Sequence, residues 1–247
     1  MKKILGSVLL ATIVLTVFSQ TAEDVIGKYA EAMGGPEKLK SMKSIYMEGV
    51  SVGPNGAEIT SKTYRVQNKL YRQDIDFGMG SFTILVTDKE GWFSNPRNGG
   101  AFEAMTPEAV TAQQNELDCA GALVDYAGKG HTVELTGNET IDGTECYKIK
   151  LTLTSGKVIN YFIENKNWHI IRISSKSTGG MFGGGQRGGG GADVEVNTNF
   201  SDYKKTADGF LFPMTITRAG MGGRDMSTNI EKVEVNKEVD PKLFKPE

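Results

Sequence analysis

From Tyr147 to Thr154 apolar and polar residues alternate without a break. Tyr147, Ile149, Leu151 and Leu153 fall on one phase, and Lys148, Lys150, Thr152 and Thr154 on the other. A period of two marks a strand with one face on a core and the other in water. Ile159, Tyr161 and Ile163 repeat the pattern, as do Ile171 with Ile173, and Phe212, Met214 and Ile216. Upstream, "SIYMEGVSV", "TYRVQNKLYRQDI" and "FTILVTDKEGWFSN" are β-rich runs divided by turn residues. Pro54-Asn55-Gly56, Gln67-Asn68-Lys69, Asp88 to Gly91, Asn138 to Gly143, Ser155-Gly156-Lys157 and Asn165-Lys166-Asn167 supply hairpin turns. Met226, Thr228 and Ile230 form a late strand whose phase shifts before Val233 and Val235, as a bulge would cause. The expectation is ten or eleven strands in one antiparallel sheet.

Two regions break this pattern. "TAEDVIGKYAEAMGG" predicts a helix capped by Thr21, with Glu23 and Asp24 in its first turn. Ala22, Val25, Ile26, Tyr29 and Met33 fall on one stripe of it at helical spacing. Gly34 and Gly35 end it, and Pro36 opens a short second helix. "TPEAVTAQQNELDCAGALVDY" predicts another helical region, with Thr106 as N-cap and Pro107 at the first position. The segment 179–191 holds nine Gly in thirteen residues between two strands, which predicts a long flexible hairpin loop. No Gly-Lys-Ser/Thr ends it, so it is not a phosphate-binding loop. A hinge or a partner-contacting flap is its functional alternative.

The N-terminus carries an address. Lys2 and Lys3 precede an apolar run from Ile4 to Phe18, too short for the roughly 20 apolar residues of a bilayer span. A basic start, a short apolar stretch and small residues describe a secretory signal peptide, residues 1–19, cleaved near Ser19. Residues 20–247 then form a single domain in the periplasm. Removing Lys2 and Lys3 leaves 26 basic against 30 acidic residues, a net charge of −4. That balance opposes nucleic-acid binding. Export makes the compartment oxidising, so Cys119 and Cys146 are either a disulfide or two buried free thiols. A bridge would add roughly 3–4 kcal/mol in the chain-entropy model.

Catalytic constellations are missing from the sequence. No Gly-x-Ser-x-Gly elbow occurs, and neither His131 nor His169 has a Cys, His or acid at ligand spacing. The reading is a protein without catalysis, metal or cofactor. What needs explaining is apolar surface. An antiparallel sheet of this size curls, and its hollow side must be filled or covered. The inward set is Tyr147, Ile149, Leu151, Ile171, Ile173, Phe212, Met214 and Ile216. Those residues either make a dry core or line a ligand cavity.

The order of elements resembles the LolA/LolB-like outer-membrane lipoprotein-sorting proteins, in the form found in Bacteroidetes. The likeness is carried by "YAEAMGGPEKLKSMKSI", by the Asp-Gly-x-x-Cys-Tyr-Lys-Ile strand (Asp142 to Ile149), by Ser201 to Pro213 and by the closing Val239 to Phe244. The resemblance implies an α+β fold, an incomplete antiparallel β-barrel with helices covering the open mouth. It implies a periplasmic monomer that shelters acyl chains of lipids or lipoproteins without enzymatic chemistry, as carrier or sensor. An envelope membrane protein is the implied partner. The competing class is an envelope interaction module with a filled core that docks on a protein. For a carrier, the lids would be the first helix, around Val25, Ile26, Tyr29 and Met33, and the insertion near Ala109 to Tyr126. A Cys119–Cys146 bridge would staple the insertion and leave the first helix as the moving part.

Overall fold

The computed structural model describes residues 20–53, 55–96, 99–177, 194–219 and 225–246. The expected signal peptide and the glycine-rich segment 179–191 lie outside the described residues.

Helix α1 (Ala22–Ala32) starts where the sequence places it. Thr21 Oγ1 accepts from the Asp24 amide while the Asp24 carboxylate accepts from the Thr21 amide, a reciprocal capping box. Gly34 and Gly35, at φ of +115° and +97°, stop the helix in conformations that side chains resist. Pro36 then opens α2 (Pro36–Lys40). Ala22, Val25, Ile26, Tyr29 and Ala30 are the buried face of α1.

The strands are β1 (Ser44–Val52), β2 (Glu58–Val66), β3 (Leu70–Asp76), β4 (Ser81–Thr87), β5 (Gly91–Ser94) and β6 (Phe102–Ala104). After helix α3 (Pro107–Gln113) come β7 (Thr132–Ile141), β8 (Thr144–Thr152), β9 (Val158–Glu164), β10 (Ile170–Ser177), β11 (Val194–Lys205), β12 (Leu211–Ala219) and β13 (Asp225–Val235). The described residues thus hold thirteen strands in one sheet, against the ten or eleven expected. β6, only three residues long, is too short to show a period. The order is β6-β5-β4-β3-β2-β1-β13-β12-β11-β10-β9-β8-β7, so the sheet runs from edge to edge without closing. β13 pairs with β1 and joins the two halves of the chain. The phase shift expected in β13 is present: Lys232 faces Glu48 and Ile230 faces Gly49, leaving Glu231 as the extra residue.

The insertion departs from the helical expectation. α3 ends at Gln113, a single 3-10 turn spans Gln114–Leu117, and turns follow to Gly130. Asp118 ends helical geometry by accepting from the Ala120 amide, and Gly121 and Asp125 take positive φ. Lys129 holds this loop from inside, donating to the Asp118 carboxylate and to the carbonyls of Gly121 and Val124.

One sheet face carries the helices. There α1, Leu39 of α2 and Cys119 to Val124 pack on Ile149, Leu151, Tyr161 and Ile163 in the main core. Val110 of α3 and Leu117 pack on Tyr71 and Val86 in a second cluster. The opposite face has a small cluster of Ile141, Cys146 and Phe162, with Ile171 against it.

Candidate functional site

The insertion bridges the helix face. At one end the Met105 amide donates to the Gly91 carbonyl and the Gln114 side chain to the Thr87 carbonyl. At the other, Lys157 Nζ in the β8–β9 turn donates to the Ala112 carbonyl at 3.3 Å. α1 covers the β7–β10 end and α3 the β3–β5 end. Between the two covers lie β2, β1 and β11 to β13.

Strand register shows what this middle region presents. Ile216 faces Phe200 on one side and Thr228 on the other, and Thr228 faces Ser51. Ile173 lies across from Tyr161 of the main core and from Thr198. Met47, Ile173, Phe200, Met214 and Ile216 are each half-buried. Met47, Ile173 and Phe200 lie against the main core, whereas Met214 and Ile216 belong to none of the three buried clusters.

The sequence-derived inward set therefore divides. Ile149 and Leu151 are fully buried under the α1 cover. Tyr147, Ile173 and Phe212 pack at the margin of that core. Met214 and Ile216 lie on the uncovered stretch. Ile171 is a correction: a bulge between Ile170 and Arg172 reverses the phase, and Ile171 packs with Cys146 and Phe162 on the opposite face. The lid set Val25, Ile26, Tyr29 and Met33 is buried against the main core.

The disulfide alternative is also corrected. Cys119 and Cys146 are both free and buried. Cys119 belongs to the core on the helix face and Cys146 to the cluster on the other, so the sheet lies between them. Burial pushes each thiol up to about 11. Ellman's reagent is expected to find no reactive thiol in the native protein at pH 8 and both in urea, because the thiolate is the reactive form. A non-reduced mass two hydrogens below the dithiol value would contradict the free assignment.

A polar feature shares the helix face with the apolar strip. Arg65 of β2 lies opposite Ile45 of the main core. Its guanidinium meets the Glu116 carboxylate at 2.6 Å and lies 5.4 Å from the Tyr71 ring centre. Tyr71 donates to Gln73, and Gln73 to Thr63. Burial works against the Glu116 charge, but Arg65, Arg218 and Lys157 outweigh it and hold the carboxyl below its usual range. Burial also pushes the Tyr71 hydroxyl up, with the Glu116 charge adding to it and Arg65 and Arg218 opposing. The Arg65 Nε is buried and has no hydrogen-bond partner. Sequence reasoning named none of these groups. Thr63 and Arg65 share a phase with Ile59 and Ser61, so that strand offered a polar phase with no sign of facing inward.

Neither histidine joins this cluster. Burial lowers His169 despite the Glu164 carboxylate 3.3 Å away, and the ring stacks on Tyr203. Burial likewise lowers His131, whose Nδ1 accepts from the Thr154 amide. Among the described residues no group of three or more His, Cys, Asp and Glu is arranged to hold a metal ion. Among them, too, no helix is long and apolar enough to cross a membrane. A groove of about 820 Å³ lies away from the helix-face strip, lined by Lys69, Thr87, Trp92 and Phe244 among others.

The chain superposes on solved structures over most of its length. A LolA superfamily protein from Nitrosomonas europaea superposes with a TM-score of 0.55 at 15% identity, covering 92% of this chain and 98% of its own. The fold is LolA-like. A DUF1329 family protein from Desulfovibrio piger also gives 0.55 at 15% identity, over 90% of this chain and 97% of its own. An outer membrane lipoprotein-sorting protein domain from Vibrio parahaemolyticus gives 0.51 at 11% identity, over 90% and 94%. No family model matches the sequence, and no curated protein matches it. The LolA-like sheet with helices over its open side is the architecture that the sequence resemblance implied.

Proposed function

We propose that the protein binds an acyl chain of a lipid or lipoprotein without enzymatic chemistry, in the cell envelope, as a carrier or sensor in outer-membrane lipoprotein sorting. The chain would lie across β1 and β10 to β13, between the α1 cover and the insertion. One observation carries this reading: Met214 and Ile216 stand half-buried on the helix face outside every core cluster, with Phe200 beside Ile216 and Met47 and Ile173 further along the same face. Burying a chain gains about 0.8 kcal/mol per CH₂, so fourteen carbons gain on the order of 10 kcal/mol before association costs. Methionine suits such a surface because its flexible thioether adapts to varied apolar shapes. The LolA-like fold and the lipoprotein-sorting name of the Vibrio domain agree with it.

The filled half beneath α1 favours a second reading, an envelope module that docks on a protein and holds nothing. Native mass spectrometry before and after organic extraction separates the two, together with uptake of a fluorescent fatty acid. The expected result is a lipid-mass adduct lost on extraction, and uptake that falls at least about tenfold in Ile216→Glu, since a carboxylate in an apolar site costs well over the 1.4 kcal/mol that tenfold requires. A protein with no adduct and no uptake overturns the binding reading and leaves the docking module.

A further inference from the structure

Two arginines lie on the face that would hold the chain. Arg65 of β2 pairs with Glu116 there. The register row Leu135, Ile149, Tyr161, Ile173, Thr198, Arg218 runs across five strand pairings and places Arg218 on the same face. Arg218 and Lys157 both act on the Glu116 carboxylate, and Arg218 acts on the Tyr71 hydroxyl as well. Arg65 thus contacts the Glu116 carboxylate directly, while the charges of Arg218 and Lys157 also favour its ionised form. The nearest other carboxylate on the insertion, Asp118, is taken by Lys129. Arg65 carries a second sign of an absent acceptor, because its Nε is buried and unpartnered while its terminal nitrogen holds Glu116. A buried donor without an acceptor is costly, and an incoming oxyanion would relieve it.

We infer that the ligand of this face is an anionic amphiphile, with its charged head group held between Arg65 and Arg218 beside Glu116 and its chain on Met214 and Ile216. This rests on the acyl-chain reading above and narrows it. The head group is an oxyanion, a carboxylate or a phosphate, which a fatty acid and a phospholipid both supply. An uncharged acyl glycerol, which lacks the anion, is the poorer ligand. Guanidinium groups suit this role because their fixed donor forks match both oxyanions.

The test compares three ligands of equal chain length below their micellar concentrations: tetradecanoate, monotetradecyl phosphate and monomyristoylglycerol. Wild type, Arg218→Gln and the double variant Arg65→Gln/Glu116→Gln are titrated calorimetrically. Arg218 is exposed, so its variant folds; the double variant removes the half-buried pair together and strands neither charge. The expected result is at least about tenfold tighter binding of one or both anions than of the glyceride. Arg218→Gln should lose most of that preference and leave the glyceride affinity unchanged. The double variant should lose it too. Preference for one anion over the other supports the inference and tells carboxylate from phosphate. Equal affinity for all three ligands, or an Arg218→Gln loss shared by all three, overturns the anionic head group and leaves the acyl site standing. Binding of none overturns both.

Discussion

Replacing Val25 with Asp is expected to abolish the cooperative urea unfolding transition at neutral pH. Val25 is fully buried on α1, within the core cluster that contains Ile149, Leu151 and Ile163. An unpaired carboxylate there costs several kcal/mol, and the lost Val burial adds about 1.5–3 kcal/mol. Whole-domain stability is only about 5–15 kcal/mol. Undocking α1 offers no cheap escape. It exposes Val25, Ile26, Tyr29 and Met33 and uncovers the residues beneath, forfeiting on the order of 8 kcal/mol for the four side chains alone. Far-ultraviolet circular dichroism follows the sheet. Trp168 reports on α1, because it stacks on Tyr147 at 5.4 Å with Lys28 of α1 over its ring. Val158→Asp is the control, since Val158 is 38% exposed and a surface change of this kind stays within about 0.5 kcal/mol. A Val25→Asp protein with the wild-type midpoint would show that α1 is dispensable to the fold.

Local signals in the sequence carried furthest. The Thr21 capping box, the Gly34-Gly35 stop and the β13 bulge each depend on a few neighbouring residues, and each is where the pattern put it. The cysteines were legible only in part, because the face taken by Cys119, in a turn, has no period to show it. Cys146 sits on the same phase as Lys148 and Lys150, opposite to Tyr147 and Ile149, so strand period alone turns it away from the helix face. Ile171 was not legible, because a one-residue bulge in β10 exchanges faces and no turn residue marks it. The Arg65–Glu116 pair was hidden for another reason. Its members stand 51 residues apart, on a strand and a 3-10 turn. Arg218 joins them only through pairings that run from β2 through β1 and β13 to β12. A polar phase on a strand does not say which side it faces until the partner strands fix the register.

Hydrogen exchange is expected to separate the two covers by at least about a hundredfold, with the amides of Val110 to Gln113 exchanging faster than those of Val25 to Ala32. Assigning motion to α1 depended on a Cys119–Cys146 staple holding the insertion in place, and the thiols are unpaired. Without the staple, anchorage decides. α1 is eleven residues long and buries five of them, with Met33 beyond its end in the same core. α3 is seven residues long and buries Val110 alone. Releasing one Val-sized contact costs about 1.5–3 kcal/mol, against the several such contacts that α1 would give up. Hinges are present on both sides of α3: Met105 follows the three-residue β6, and the Gln114–Leu117 turn follows its last residue. The Arg65–Glu116 contact and the Lys129 cage hold the chain beyond that turn, so opening stops at α3 and leaves residues 118–130 in place. Mass spectrometry of peptides from both covers measures the ratio directly, and a bound acyl chain should slow exchange in α3 more than in α1. Exchange in α3 as slow as in α1, or slower, would return the moving role to the N-terminal helix, and access to Met214 and Ile216 would then demand the far larger cost of lifting the main core.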